Sequence, residues 1–289
     1  MRITDVRAVA GDAAFLVDDG ETAILYDTGF AFTGARVAEN IRRALGDRPL
    51  DFIFLTHSHY DHAAGVPYIK RLYPNATVVA SAYAASIFAK PTARAVMREL
   101  DAKAARTMGI EVYEDLIDHL SVDRVVNDGE EIRAGKHVFT VLSLAGHTKC
   151  SVGYFCAEEG LLLSSETLGV FNGKDDVVPS YLVGVQMTLD AIDRTRSLQP
   201  RAMVLPHYGL IEGDTVSFYL LRAKARAEEI AHTVCRMLCA KKSTDEIRAW
   251  FEDTFYHGAI KEGYPVDAMR LNTGIMIDLI RRELCKSVE

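Results

Sequence analysis

Residues 55–65 read Leu-Thr-His-Ser-His-Tyr-Asp-His-Ala-Ala-Gly, which places His57, His59, Asp61 and His62 within six residues, directly after an apolar run. In extended chain, side chains alternate between faces, so His57 and His59 point the same way. A turn into a helix then lets Asp61 and His62 face the same space from the other side. Three imidazoles and a carboxylate this close together are the nitrogen and oxygen donor set of a zinc or iron site. A purely structural role would have to satisfy all four polar groups at a strand end without a shared partner. Further donors stand in comparable places. His147 follows the apolar run 137–144, Glu166 follows the run 160–165, and His207 follows the run 202–205. Four strand ends thus bring candidate ligands to one edge of a sheet structure, a rigid scaffold with loops around the site.

The elements that must position these residues can be read from periodicity. Thr22–Tyr26, Asp51–Thr56 and Ala76–Ala80 read as strands, with helices over Phe32–Leu45 and Ala64–Tyr73 between them. This β-α-β order predicts a sheet covered by helices. Residues 82–120 change character to Ala, Arg, Lys, Met and Leu, which predicts a helical stretch bordering a cleft. Strand patterns return from 123 to 206, punctuated by glycines and with a helix over Asp190–Leu198. After 212 the pattern is helical. Ser243-Thr244-Asp245-Glu246 forms a capping box, and a last helix is expected over Val266–Cys285.

Composition bounds the function. The chain has 289 residues, of which 49% are hydrophobic, enough for a sizeable core. Its net charge of −7 argues against sequence-independent nucleic-acid binding, which needs phosphate-neutralising Lys and Arg. No apolar run approaches the ~20 residues that span a bilayer, and the N-terminus lacks the apolar core of a secretory signal. A soluble, cytoplasmic protein is expected, with no membrane or nucleic-acid partner. The five cysteines form no Cys-x-x-Cys motif and predict no disulfide framework. Cys235 and Cys239 read as small hydrophobes on a helix.

With these motifs in this order, the chain resembles the metallo-β-lactamase-fold hydrolases. The likeness rests on Asp27-Thr28-Gly29, on His57, His59, Asp61 and His62, on His147 in Ala-Gly-His-Thr, and on His207 in Pro-His-Tyr-Gly, and it spans residues 24–209. It implies the α/β class and a four-layer αββα sandwich over residues 1–210, with a helical insertion at about 82–120. Residues 211–289 would then be a C-terminal helical extension. It further implies a dinuclear site of divalent ions, zinc first, with iron and manganese as alternatives. His57, His59 and His147 would bind the first metal, and Asp61, His62 and His207 the second. The family usually bridges the two with an aspartate. Glu166 stands in that place, one methylene longer, and would bridge both or bind one. Asp27 would support the histidine loop by holding an imidazole tautomer.

The activity implied is hydrolysis of a small ester, thioester or lactone by a metal-activated hydroxide. Two ions about 3.5–4 Å apart lower the pKa of a shared water, and Asp61 would orient the nucleophile or handle its proton. Tyr181 and Tyr208 are candidate substrate contacts, Phe30, Phe32 and Phe171 could form an apolar mouth, and Arg222 and Arg226 share a helix face. Three alternatives stand beside this reading. One is an iron oxidoreductase of the same fold, flavodiiron-like or persulfide dioxygenase-like. Flavodiiron members carry glutamate where His59 stands, and no flavodoxin-like segment follows. The others are a phosphodiesterase and a binding protein with a dead site. A small-molecule substrate is expected, and a homodimer through the C-terminal helices is compatible with the sequence.

Overall fold

Short runs of fully buried residues become strands when both faces are covered, as in Ala23–Tyr26, where all four residues are buried. The computed structural model describes residues 1–285. Its first sheet contains β1 (Arg2–Asp5), β2 (Phe15–Asp18), β3 (Ala23–Tyr26), β4 (Phe52–Phe54), β5 (Thr77–Ser81) and β6 (Arg124–Val126), adjacent in that order. The first three strands are antiparallel and β3 to β6 run parallel. Parallel neighbours need crossovers. These are α1 (Ala31–Leu45), the pair α2 (Tyr60–Ala63) and α3 (Val66–Leu72), and the pair α4 (Ala82–Phe88) and α5 (Pro91–Thr107).

The second sheet repeats the plan. It comprises β7 (Glu131–Ala134), β8 (His137–Ser143), β9 (Val152–Cys156) and β10 (Leu161–Leu163). After a two-stranded ribbon, β11 (Val170–Phe171) with β12 (Val177–Val178), come α6 (Val185–Ser197), β13 (Ala202–Leu205) and β14 (Gly209–Glu212). The sheet order is β14-β13-β10-β9-β8-β7, and α6 is the crossover for the parallel pair β10–β13. The chain continues through α7 (Asp214–Cys239), α8 (Thr244–Phe255), α9 (Gly258–Gly263) and α10 (Val266–Leu284). The capping box of Ser243 and Glu246 opens α8. No described helix is long and apolar enough to cross a membrane.

Three apolar clusters define the αββα layers. Phe15, Tyr26 and Phe54 of the first sheet meet Phe139, Tyr154 and Val204 of the second. Val37 and Ile41 of α1 and Ile69 of α3 cover the outer face of the first sheet. Residues of α6, α7, α8 and α10 share one core against the second sheet. Within 82–120 the helices stop at Thr107, because the chain reverses at Gly109 with φ 74°. The remainder is a loop with one short turn at Ile117–His119.

The sandwich is pinned at the edge where the candidate ligands lie. The Tyr26 hydroxyl donates to the Ser164 carbonyl at 2.9 Å and the Tyr154 hydroxyl to the Leu55 carbonyl at 2.7 Å. The Val152 N–H donates to the Thr56 carbonyl at 2.9 Å. Each bond ties the end of one sheet to the other within two residues of a candidate ligand or its support.

Candidate metal centre

The histidine motif starts where β4 ends. The chain stays extended through His59, whose φ of −71° and ψ of 151° begin α2, so His57 and His59 share one side and Asp61 and His62 rise on the first helical turn. The Asp27-Thr28-Gly29 turn holds this loop from below. The Thr28 N–H and hydroxyl both donate to the His62 carbonyl at 2.8 Å. Gly65 lies so close to this turn that a Cβ there would sit 2.1 Å from the Thr28 carbonyl oxygen, so only glycine fits.

The ligand atoms of His57, His59, His147 and Glu166 all lie within 4.8 Å of one another, as do those of Asp61, His62 and His207. Glu166 joins the two groups. Its Oε2 lies 2.8 Å from His147 Nε2 and 3.6 Å from Nε2 of both His57 and His62. Its Oε1 lies 3.3 Å from His207 Nε2. Asp61 Oδ2 is 3.8 Å from His62 Nε2 and 3.7 Å from His207 Nε2.

Fixed acceptors set the tautomers. His147 Nδ1 faces the Ser180 carbonyl at 2.7 Å, and His207 Nδ1 faces the Gly11 carbonyl at 3.0 Å. Carbonyl oxygens only accept, so both Nδ1 atoms carry a hydrogen, and in the neutral ring that a metal requires Nε2 is the atom with the lone pair. His62 Nδ1 meets Asp27 Oδ2 at 2.8 Å. The Thr56 hydroxyl donates to the same oxygen at 2.8 Å and lies 2.9 Å from His57 Nδ1. Its one proton points at Asp27, so it accepts from His57. His59 alone approaches with Nδ1, 3.0 Å from His147 Nε2.

The donor set fits a metal on an observation internal to the site. Nε2 of His57, His62 and His207 and Oε1 of Glu166 are buried and make no aligned hydrogen bond. Four polar atoms left this way toward one space would each cost free energy without a shared cation. Electrostatics agree. Burial pushes His57 well down and His59 to about 3, which keeps both rings neutral. Burial also works against charge on His62, but Asp27 and Asp61 outweigh it and raise its value. Burial alone would raise Glu166, yet His147, His207 and His62 hold it well below the usual carboxylate range. Nitrogen and oxygen donors without thiolate suit zinc, iron or manganese.

Two of the four non-glycine residues with positive φ among the described residues are Asp27 (54°) and His207 (62°). Strained backbone at two members of one site is the pattern expected where the surroundings over-determine geometry.

The structure brings His57, His59, Asp61, His62, His147, Glu166 and His207 together, with Asp27 behind them. It does not bring Tyr181 or Tyr208 to the cavity beside them. Tyr181 is fully buried in the core under α7, its hydroxyl directed at the Ala227 carbonyl. Its neighbour Ser180 faces His147 instead. Tyr208 is partly exposed and packs edge-on to Phe171, ring centroids 4.9 Å apart. Phe171 is itself core, against Tyr219. Of the expected apolar mouth only Phe30 lines the cavity, and Phe32 stacks behind it at 4.7 Å. Arg222 and Arg226 are paired with Asp176, at 3.0 and 2.7 Å. Cys235 is half-buried as expected, while Cys239 is exposed.

Sequence reasoning missed Thr56, Ser180 and Gly11 as supports and Tyr60 and Tyr264 as residues lining the cavity. Thr56 had a signal, being adjacent to the motif. Tyr264 had none. It lines the cavity beside Asp61 and Glu166, and Asn272 Nδ2 donates to its hydroxyl at 2.6 Å. Burial raises Tyr60 and Tyr264 far above the ordinary phenol value, so both remain hydrogen-bond donors.

Comparison with known proteins agrees with this geometry. The family model "Metallo-beta-lactamase superfamily" matches residues 10–207. A hydroxyacylglutathione hydrolase of Stenotrophomonas maltophilia is 28% identical over 199 residues, 66% of this chain and 61% of that protein, so the chain spans less than two thirds of this relative's length. The metallo-beta-lactamase fold-containing protein ST1585 of Sulfurisphaera tokodaii is 24% identical over 62% of this chain and 68% of its own. Among solved structures, the metallo-beta-lactamase family protein TTHA1429 from Thermus thermophilus superposes with a TM-score of 0.59 at 20% identity, covering 93% of this chain and 88% of that one. The matched segment holds every candidate ligand from His57 to His207, and the chain belongs to the metallo-beta-lactamase superfamily.

Proposed function

We propose that this chain is a dinuclear metal-dependent hydrolase acting on a small ester, thioester or lactone. The observation that carries the reading is the position of Glu166, with one oxygen among His57, His147 and His62 and the other beside His207. His57, His59 and His147 would hold one ion and Asp61, His62 and His207 the other. A pair of divalent ions there supplies a nucleophile at neutral pH and Lewis acidity toward a carbonyl. The chain's own groups do the rest. Asp61, partly exposed to the cavity, orients the attacking water and accepts its proton. Tyr60 and Tyr264 stay protonated and donate toward the substrate oxygen or leaving group. The hydroxyacylglutathione hydrolase relative supports a thioester among the substrate bonds.

A second reading, an iron-dependent oxidoreductase, is favoured by the all-nitrogen-and-oxygen donor set, which suits iron as well as zinc. One experiment separates them. Protein purified without chelator is assayed against thioesters, esters, lactones and bis(p-nitrophenyl) phosphate. Turnover of acyl substrates, lost on chelation and restored by zinc, supports the hydrolase. Oxygen uptake with thiols by an iron-loaded sample, and no acyl turnover, would replace it.

A further inference from the structure

A cavity of about 480 Å³ opens beside the metal-ligand cluster, within the range of small-molecule sites. One end carries His59, Asp61, Glu166 and His207, and the rest is walled by α5 and α10. These two helices lie more than 150 residues apart in sequence. Val96 of α5 and Leu271 and Ile275 of α10 are large apolar side chains that the fold leaves exposed, and all three line this cavity. Leu100, Leu182 and Phe30 extend the same surface toward the ligands. Apolar side chains left exposed together on facing helices mark a binding surface. Charge points the same way. Among the described residues lining the cavity, Lys103 is the one Lys or Arg, and its Nζ is paired with Asp267 at 2.9 Å across the gap from α5 to α10. No unpaired Lys or Arg lines the helical part of the cavity to meet an anionic acyl group.

We propose that the site takes acyl substrates whose acyl part is an uncharged apolar chain of medium length lying between α5 and α10, and that it discriminates against acyl groups bearing a carboxylate. This rests on the hydrolase reading above. In the reaction, water oxygen forms the new bond to the acyl carbon and the C–O or C–S bond to the leaving group breaks. The leaving group departs with a proton, the acyl product is a carboxylate with release of a second proton, and no electron is exchanged. Each methylene that enters the apolar wall is worth about a threefold to fourfold gain. An unpaired carboxylate there costs more than a methylene returns.

The test uses N-acetylcysteamine thioesters of acetate, butyrate, hexanoate, octanoate and succinate on the metal-loaded full chain. From acetyl to hexanoyl, kcat/KM is expected to rise at least about tenfold, with succinyl at least about tenfold below butyryl. Leu271→Lys should cut the octanoyl-to-acetyl ratio about tenfold while metal content stays that of the parent. Because Leu271 is exposed, this change empties no core. A flat or falling chain-length series, or a preference for succinyl, overturns the proposal while leaving the hydrolase reading intact. Binding of non-hydrolysable N-methyloctanamide is measured in parallel by calorimetry. Saturable binding that Leu271→Lys weakens, with no thioester turned over, would fail the hydrolase reading and keep the cavity assignment. Neither binding nor turnover would overturn both.

Discussion

Asp27 Oδ2 lies 2.8 Å from His62 Nδ1, on the side of the ring away from the ligand cluster. The same oxygen accepts the Thr56 hydroxyl, which in turn faces His57 Nδ1. One buried carboxylate therefore sets the tautomer of a histidine in each of the two ligand groups. Asp27 is held by its own strained backbone at φ 54°, and the Thr56 N–H fixes its other oxygen at 2.8 Å.

Removing the link should loosen the metal. Thr56→Val keeps shape but leaves His57 Nδ1 without an acceptor. Metal affinity is expected to fall about 10- to 100-fold, measured by competition with a chromophoric chelator. Thr56→Ser should restore it. Parent affinity in the valine variant would show that Thr56 does not position His57.

The metal should also hold the fold. Four of its candidate ligands, His57, His62, Glu166 and His207, present buried atoms that have no other hydrogen-bond partner. Ligand binding at about 1,000 times Kd is worth about 4 kcal/mol. Chelation is then expected to lower Tm on the order of 10 °C for a chain of this size, read by calorimetry with and without chelator. An unchanged Tm would mean the ligand atoms are not held by a metal in the purified protein.

Asp101 gives a pH signature away from the ligands. It is fully buried on α5 and accepts the Ala31 N–H at the start of α1, at 2.8 Å. Burial raises its carboxyl to about 6 from 3.8. The folded state therefore binds more protons than the unfolded state between those values, and stability falls as pH rises from about 4 through about 6. A shift of about two units corresponds to roughly 3 kcal/mol. Asp101→Asn keeps an acceptor for Ala31 and should remove this fall, seen as a flatter denaturation midpoint between pH 4 and 7. An identical slope in parent and variant would assign the pH dependence elsewhere.

The contrast between Ser180 and Tyr181 shows what a sequence can and cannot disclose. The segment after β12 does reach the site, but neighbouring side chains outside a helix point to different sides. Ser180 meets His147 and Tyr181 enters the core. Tyr208 fails for a related reason: the left-handed φ of His207 turns the next residue away. The histidine motif was legible because its geometry is local, a strand end followed by one helical turn. Glu166 and His207 were legible because each ends an apolar run. The cleft beside the helices of 82–120 was legible from their change in composition, but Tyr264 and the α10 wall were not, because helices more than 150 residues apart meet only through packing, which no local spacing records.

The central claim is a two-metal centre bridged by Glu166, and elemental mass spectrometry on protein purified without chelator tests it most directly. About two divalent ions per chain, zinc or manganese, are expected in the parent and in Glu166→Asp, which keeps a carboxylate between the groups, and about one in Glu166→Ala. One ion or none in the parent, or two retained in Glu166→Ala, would contradict the account.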